Sequence, residues 1–234
     1  MVKQHNRGFH YSRRALLHHG LVLGGAMIAA GYNGRTFGQF AGADGPFVPT
    51  PGQGLGPAYP VRKPADQDAD LTSIKGRPGR AAGDIIEVTG KVMTPAGDPV
   101  PGARIELWQA NAYGRYTHPA DLNPAPLDPN FEGYALLTAD AEGRYRFKTI
   151  KPGAYPANGP LLRPPHIHFD IAGARTRLVT QMYFPGEPDN ETDDAFNAVP
   201  EEQRHLVLAT AAPSTPDLEP GVQLMKWDIV LAAG

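Results

Sequence analysis

Short runs in which apolar and polar residues alternate recur along most of this 234-residue chain. They constrain its fold more than any other feature. Side chains on a β-strand point to opposite faces in turn, so period-two alternation marks strands with one face turned to a core. Ile86, Val88, Gly90 and Val92 alternate with Ile85, Glu87, Thr89 and Lys91; Ala103, Ile105 and Leu107 alternate with Arg104, Glu106 and Trp108. Tyr145 and Phe147 alternate with Arg144, Arg146 and Lys148, and Met225, Trp227, Ile229 and Leu231 with Lys226, Asp228 and Val230. The segments 136–138 and 179–184 are further strand candidates. Pro95-Ala96-Gly97-Asp98 and Asp140-Ala141-Glu142-Gly143 are turns between runs, and 27 glycines and 25 prolines suit many such turns. About eight short strands with turn-rich links predict an all-β fold, an antiparallel β-sandwich with long loops. One short helix is expected, from about Glu201 to Leu208, after Pro200.

One of these strands carries chemistry. In His166-Ile167-His168-Phe169-Asp170-Ile171 the apolar residues alternate with two imidazoles and a carboxylate, so His166 and His168 project from the same face. Pro164-Pro165 restricts the backbone just before them. A stiff entry and two co-directed imidazoles make half of a metal site, although His-x-His alone carries little geometry. The chain has no cysteine, which excludes disulfides, thiolate ligands and a cysteine nucleophile. Any metal must be held by His, Tyr, Asp or Glu. A formal net charge of −2 argues against nucleic acid as a partner.

Before the strands the chain has two other segments. Ser12-Arg13-Arg14-Ala15-Leu16-Leu17, followed by an apolar run from Leu21 to Ala30, resembles a twin-arginine export signal. The run is short for a membrane span, and cleavage could follow Ala43, so residues 1–43 are expected to be a signal segment. That implies a periplasmic or secreted protein with no stable membrane span after processing. Residues 44–83 are rich in Pro, Gly and charge without periodicity, and are expected to form an extended arm that lies across the domain or reaches a neighbouring subunit. Residues 84–234 are then the β-sandwich domain that carries the two histidines.

Several separated motifs in order carry a family resemblance. They are Glu106-Leu107-Trp108-Gln109-Ala110-Asn111, Gly114-Arg115-Tyr116, Leu127-Asp128-Pro129-Asn130-Phe131, Thr149-Ile150-Lys151-Pro152-Gly153 with Tyr155-Pro156, and Arg163-Pro164 with His166-Ile167-His168-Phe169. The chain resembles the intradiol ring-cleavage dioxygenases, and within them the iron-bearing β subunit of the protocatechuate 3,4-dioxygenases. The resemblance implies a mononuclear Fe(3+) site whose ligands are Tyr116, Tyr155, His166 and His168. Two phenolates and two imidazoles suit ferric iron better than a softer metal. It also implies O2-dependent cleavage of a catechol between its two hydroxylated carbons to a cis,cis-muconate. Tyr155 would leave the metal and help take a substrate proton, Arg163 would stabilise developing negative charge, and Gln181 would line the pocket. A homologous α subunit or a second copy of the chain is the partner implied.

The chain departs from the family pattern at Ala157, where the protocatechuate enzymes often carry a large aromatic, and through residues 185–220, which match poorly. It also shows no helical pattern before Asp84, unlike the catechol 1,2-dioxygenases. Two other readings are a non-catalytic β-sandwich binding module and a His-based Fe(2+) or zinc enzyme. The latter would need a third ligand, for which Asp170 is the nearby candidate.

Overall fold

The computed structural model describes residues 45–156 and 161–233. The expected signal segment 1–43, its cleavage after Ala43, and Ala157 lie outside the described residues. Eleven strands are present among those residues. They are β1 (Ile85–Met93), β2 (Arg104–Trp108), β3 (Tyr134–Thr138), β4 (Arg144–Ile150), β5 (Tyr155–Pro156), β6 (Leu162–Arg163), β7 (His166–Ala172), β8 (Arg177–Tyr183), β9 (Thr210–Ala212), β10 (Gln223–Lys226) and β11 (Ile229–Val230).

Strands β4, β1, β10, β9 and β11 form one sheet, and a second has the order β3-β2-β7-β8. The short pair β5-β6 stands beside them. Pairing is antiparallel except along one edge of β1, where β10 and β11 run parallel to it. Those two strands share one register, because Ile86 faces Gln223 and Val92 faces Ile229 at the same offset. The expected terminal strand is thus one edge broken in its middle. At the break the Tyr145 hydroxyl donates to the Trp227 carbonyl at 2.6 Å, and the Lys91 amide donates to Asp228 Oδ1 at 3.0 Å.

The alternation decides the packing. Ile86, Val88, Val92, Tyr145 and Phe147 from the first sheet meet Ile105, Leu107, Ile167, Phe169, Ile171 and Met182 from the second in one buried cluster. Phe169 sits at its centre, with ring centroids 4.8 Å from Trp227 and 6.0 Å from Phe147. Burying an aromatic or aliphatic side chain in this way contributes about 1.5–3 kcal/mol each.

The helical expectation is corrected. Glu201–Val207 is a 3-10 helix, and two further turns precede it: a 3-10 turn at Pro188–Thr192 and the four-residue α1 (Asp194–Asn197). In Glu201–Val207 the bonding is i→i+3, as from the Gln203 amide to the Pro200 carbonyl (2.8 Å), the tighter turn common in short connecting pieces. The α1 turn is set by Asp193, whose carboxylate accepts from the Phe196 amide at 3.0 Å. Four residues are too few to show helical periodicity in sequence.

The stretch from 50 to 72 has no regular strand, yet it is tied down along its length. The Gln53 amide donates to the Val179 carbonyl at the free edge of β8 (2.8 Å). The Leu136 amide of β3, at the opposite edge of the same sheet, donates to the Gln67 carbonyl (3.0 Å). Ala69 and Leu71 then bond to Lys148 on β4. One prolyl-rich segment therefore blocks both edges of the second sheet and crosses its outer face between them, which protects edges that would otherwise recruit other strands.

Candidate metal centre

That covered outer face carries Glu106 and Trp108 from β2, His166, His168 and Asp170 from β7, and Gln181 and Tyr183 from β8. In register, His168 faces Trp108 on one side and Gln181 on the other, and His166 faces Tyr183. The pleat therefore gathers these side chains without any loop. Both imidazoles, Trp108 and Gln181 are almost wholly buried. The two histidine ring nitrogens Nε2 lie 3.2 Å apart.

Two loops bring the tyrosines. The Asn111 side chain accepts from the Tyr113 and Arg115 amides at 2.9 and 3.0 Å, and its carbonyl accepts from the Gly114 and Gly153 amides at 3.0 Å each. This binds the loop after β2 to the loop after β4. Gly114 has φ +74°, and a Cβ there would meet the Ala154 carbonyl oxygen at 2.3 Å, so only glycine allows the loops this close. Tyr116 and Tyr155 emerge side by side, with ring centroids 5.3 Å apart and planes at 87°. Their hydroxyls reach His166 Nε2 at 3.5 and 3.2 Å.

All four residues expected as ligands thus converge, and His166 Nε2 is the common point. A first-row metal bound at about 2.1 Å from each of several donors would hold neighbouring donors roughly 3.0–3.6 Å apart. The contacts to His166 Nε2 fall in that range, so the donor set fits a single ion. The tautomer fits as well. His166 Nδ1 lies 2.7 Å from the Pro164 carbonyl and donates to it, which turns a lone pair on Nε2 toward the centre. The rigid Pro164-Pro165 entry is therefore also the device that sets this imidazole. His168 is fixed by stacking on Trp108, with centroids 4.9 Å apart and planes at 5°. Gly56 of the arm, at φ +75°, also comes so close that a Cβ would lie 3.0 Å from His168 Cε1. His168 Nδ1 is buried without a hydrogen-bond partner.

Burial holds both histidines well below their usual range, reinforced by the Arg163 charge, so they are neutral imidazoles. Burial pushes the Tyr116 phenol well above its usual value, with Tyr155 beside it adding to the effect. Such a phenol ionises at ordinary pH only against a strong positive charge, of the kind a bound cation would provide.

Arg163 and Gln181 also reach the cluster. Arg163 Nη1 lies 3.1 Å from His166 Nε2 and 3.4 Å from the Tyr155 hydroxyl, and Nη2 donates to Gln181 Oε1 at 2.8 Å. Asp170, the third ligand an Fe(2+) or zinc reading requires, is instead paired in two bonds with Arg177, at 2.8 and 2.7 Å. Among the described residues no group of three or more His, Asp or Glu side chains is arranged to hold a metal.

Some of the site was missed by the sequence reading. Asp193 receives the Arg163 guanidinium through Nε at 2.9 Å and Nη2 at 3.0 Å. Tyr183 donates to Gln181 Oε1 at 3.2 Å, and Gln53 of the arm donates to the Tyr183 hydroxyl at 3.2 Å. Tyr183 shares a face with Gln181 by alternation and was within reach of the sequence. Asp193 and Gln53 had no local signal.

A family model described as Dioxygenase matches residues 55–233. The protocatechuate 3,4-dioxygenase beta chain of Burkholderia cepacia is 47% identical over 180 residues, covering 75% of this chain and 76% of that protein. A hydroxyquinol 1,2-dioxygenase of Rhizobium sp. (strain MTP-10005) is 34% identical over 128 residues, 49% of this chain and 42% of that one, so the chain spans less than half of that relative. Among solved structures, the dioxygenase domain of a dioxygenase carbohydrate-binding protein fusion from Streptomyces sp. SirexAA-E superposes with a TM-score of 0.59 at 28% identity. That match covers 80% of this chain and all of the domain.

Proposed function

The chain belongs to the intradiol ring-cleavage dioxygenases, and on that premise we propose that it is a ferric enzyme that cleaves a protocatechuate-like catechol with O2 to a cis,cis-muconate. The observation that carries the reading is the convergence of Tyr116, Tyr155 and His168 on His166 Nε2 within 3.5 Å. Those four side chains would hold the ion. Ferric iron there would supply the Lewis acidity that draws both hydroxyl oxygens of a catechol in as anions and makes the ring reactive toward O2.

The chain's own groups divide the remaining work. Tyr155 is only half-buried, whereas Tyr116 is buried, so Tyr155 is the tyrosine an entering substrate can reach, and its phenolate, which a bound cation would favour, is the group that would accept a hydroxyl proton and become the phenol. Tyr116, His166 and His168 are held by packing and stay in place. Arg163 Nη1, beside Tyr155 and His166, donates where negative charge builds up on the ring oxygens. Leu55, Ala58 and Tyr59 of the arm pack against Trp108 and Tyr116 and exclude water from that side.

The 47% identity to a chain named as a protocatechuate enzyme's beta chain supports a carboxylated catechol as substrate, and a homologous α subunit or a second copy of this chain as partner. The Ser12-Arg13-Arg14 pattern and the apolar run after it support export to the periplasm or beyond. No helix among the described residues is long and apolar enough to cross a membrane.

The test is the visible spectrum of iron-supplemented protein, taken anaerobically before and after adding protocatechuate or catechol. Tyrosinate bound to Fe(3+) gives a broad charge-transfer band, and the expected result is a band that shifts with protocatechuate and is absent in His168→Ala. Colourless protein with verified bound iron would refute the ligand set. A band that shifts with catechol and ignores protocatechuate would keep the site and replace the substrate.

A further inference from the structure

We infer that Asp193 is the positioning residue that aims Arg163 at the reacting ring. The inference rests on the site reading above and adds to it a residue from the 185–220 segment, in which sequence alone named no site residue.

A guanidinium has five N–H donors in a fixed planar fork, so fixing one edge fixes the direction of every other donor. Asp193 takes the edge formed by Nε and Nη2, with Oδ1 at 2.9 Å and Oδ2 at 3.0 Å. Gln181 Oε1 at 2.8 Å and the Tyr183 hydroxyl at 3.2 Å lie near the same Nη2. Only Nη1 is left over, and it points at the Tyr155 hydroxyl and His166 Nε2. The bidentate contact thus converts a flexible side chain into a single directed donor.

Asp193 is itself held so that it can do this. Its residue is 5% exposed. Oδ2 accepts from the Phe196 amide at 3.0 Å and lies 3.4 Å from the Tyr183 hydroxyl. Phe196 packs on Tyr183 with centroids 5.0 Å apart. The α1 turn is therefore a rigid mount for one carboxylate, and Tyr183 ties that mount to the strand opposite His166. Asp193 also balances the Arg163 charge. Arg163 therefore acts on the site through an oriented N–H rather than as an uncompensated cation beside two neutral imidazoles.

A helix cap that merely stabilises α1 would behave differently, and Asp193→Asn separates the two roles. Asparagine keeps an oxygen for the Phe196 amide, and it is as good a cap as aspartate. It places an amide N–H against the guanidinium edge or leaves a single neutral acceptor there. The assay compares the iron-loaded full-length protein with Asp193→Asn, Arg163→Gln and the double variant, following the charge-transfer band and steady-state ring cleavage. Asp193→Asn is expected to keep the band and lower kcat on the order of 10²-fold, the usual cost of a displaced positioning group, with KM little changed. Arg163→Gln is expected to lower kcat by at least as much. The double variant should be no slower than Arg163→Gln, because a residue acting through Arg163 has nothing left to act on.

Wild-type kcat in Asp193→Asn overturns the inference, as does a double variant in which the two losses multiply. Loss of the band in Asp193→Asn also overturns it, since Asp193 would then support the ligands rather than the arginine. A wild-type protein without the band, or without ring cleavage, refutes the site reading instead and is recognised before any variant is compared.

Discussion

The two outer faces of the sandwich have the same pattern in sequence and opposite fates. On the first sheet, Arg144-Tyr145-Arg146-Phe147-Lys148 alternates charge with aromatic, and on the second, Arg104-Ile105-Glu106-Leu107-Trp108 alternates polar with aliphatic. The outer charges of the first sheet remain in solvent. Arg146 pairs with Glu87 and Asp217, and Lys148 pairs with Glu219 at 2.8 Å, with side chains that range from 13% exposed at Glu87 to 62% at Asp217. On the second sheet Glu106 is 1% exposed and sits among the hydroxyls of Tyr59 (2.7 Å) and Tyr134 (3.0 Å), Lys63 at 2.7 Å, and Arg104. The difference is the arm, which contributes Tyr59 and Lys63. Covering a polar face removes water from it, so every donor and acceptor there must find a protein partner or a ligand. The exposed face can tolerate loose pairing. The covered one is organised around a centre.

The comparison is broken most directly at Glu106. Glu106→Gln should cost about 2 kcal/mol in urea unfolding, because the buried carboxylate gives up charge-assisted bonds from Tyr59, Tyr134, Lys63 and Arg104, although the two cations, 37% and 45% exposed, recover part of their hydration. A loss no larger than that of an exposed pair would mean that the arm does not dehydrate this face.

Glu132 sharpens the contrast through pH. It is half-buried beside the arm, and burial together with Asp66 and Asp68 raises its carboxyl from 4.5 to about 7. One of its oxygens is buried without a partner. Since the folded value is raised, the protonated form is favoured by the fold. The stability linked to it is complete below pH 4.5 and is lost as pH rises through 7. Glu132→Gln should therefore raise the unfolding free energy at pH 8 by about 1 kcal/mol, allowing for solvent screening, and leave it unchanged at pH 4. Equal effects at both pH values would contradict the assignment.

The smallest change is expected on the open face. Arg146→Ala should alter stability by no more than about 0.5–1 kcal/mol despite losing two ion pairs, and salt should reduce even that. A loss approaching that of Glu106→Gln would show that the two faces are equivalent after all.

Much of this protein was legible in its residues. The core faces of β1, β2, β4 and β7 follow the alternation, because a strand has only two faces and burial selects one. The pairing of His166 with His168 follows from the same period. Asn111, Gly114 and Gly153 were legible as loop residues, but their mutual lock was not, since it joins backbone atoms from separate loops. Residues 44–83 were expected to be an extended arm from their composition, and among the described residues no named helix or strand precedes Ile85. Composition says nothing about which face such a segment crosses. The terminal strand was recognisable as one run, whereas its break over Trp227 and Asp228 depends on hydrogen bonds to Tyr145 and Lys91.

The sequence by itself determined the strands, their inner faces, the two co-directed imidazoles and, through its motifs, the family. Alternation and local stiffness are short-range properties, written within a few residues of one another. The motifs also named Tyr116, Tyr155, His166 and His168 as one set, and only the tertiary structure decided that the arm buries the outer face of one sheet and not the other, and that Asp193 holds Arg163. Those contacts join residues far apart along the chain, and they exist only once the backbone has closed the distance.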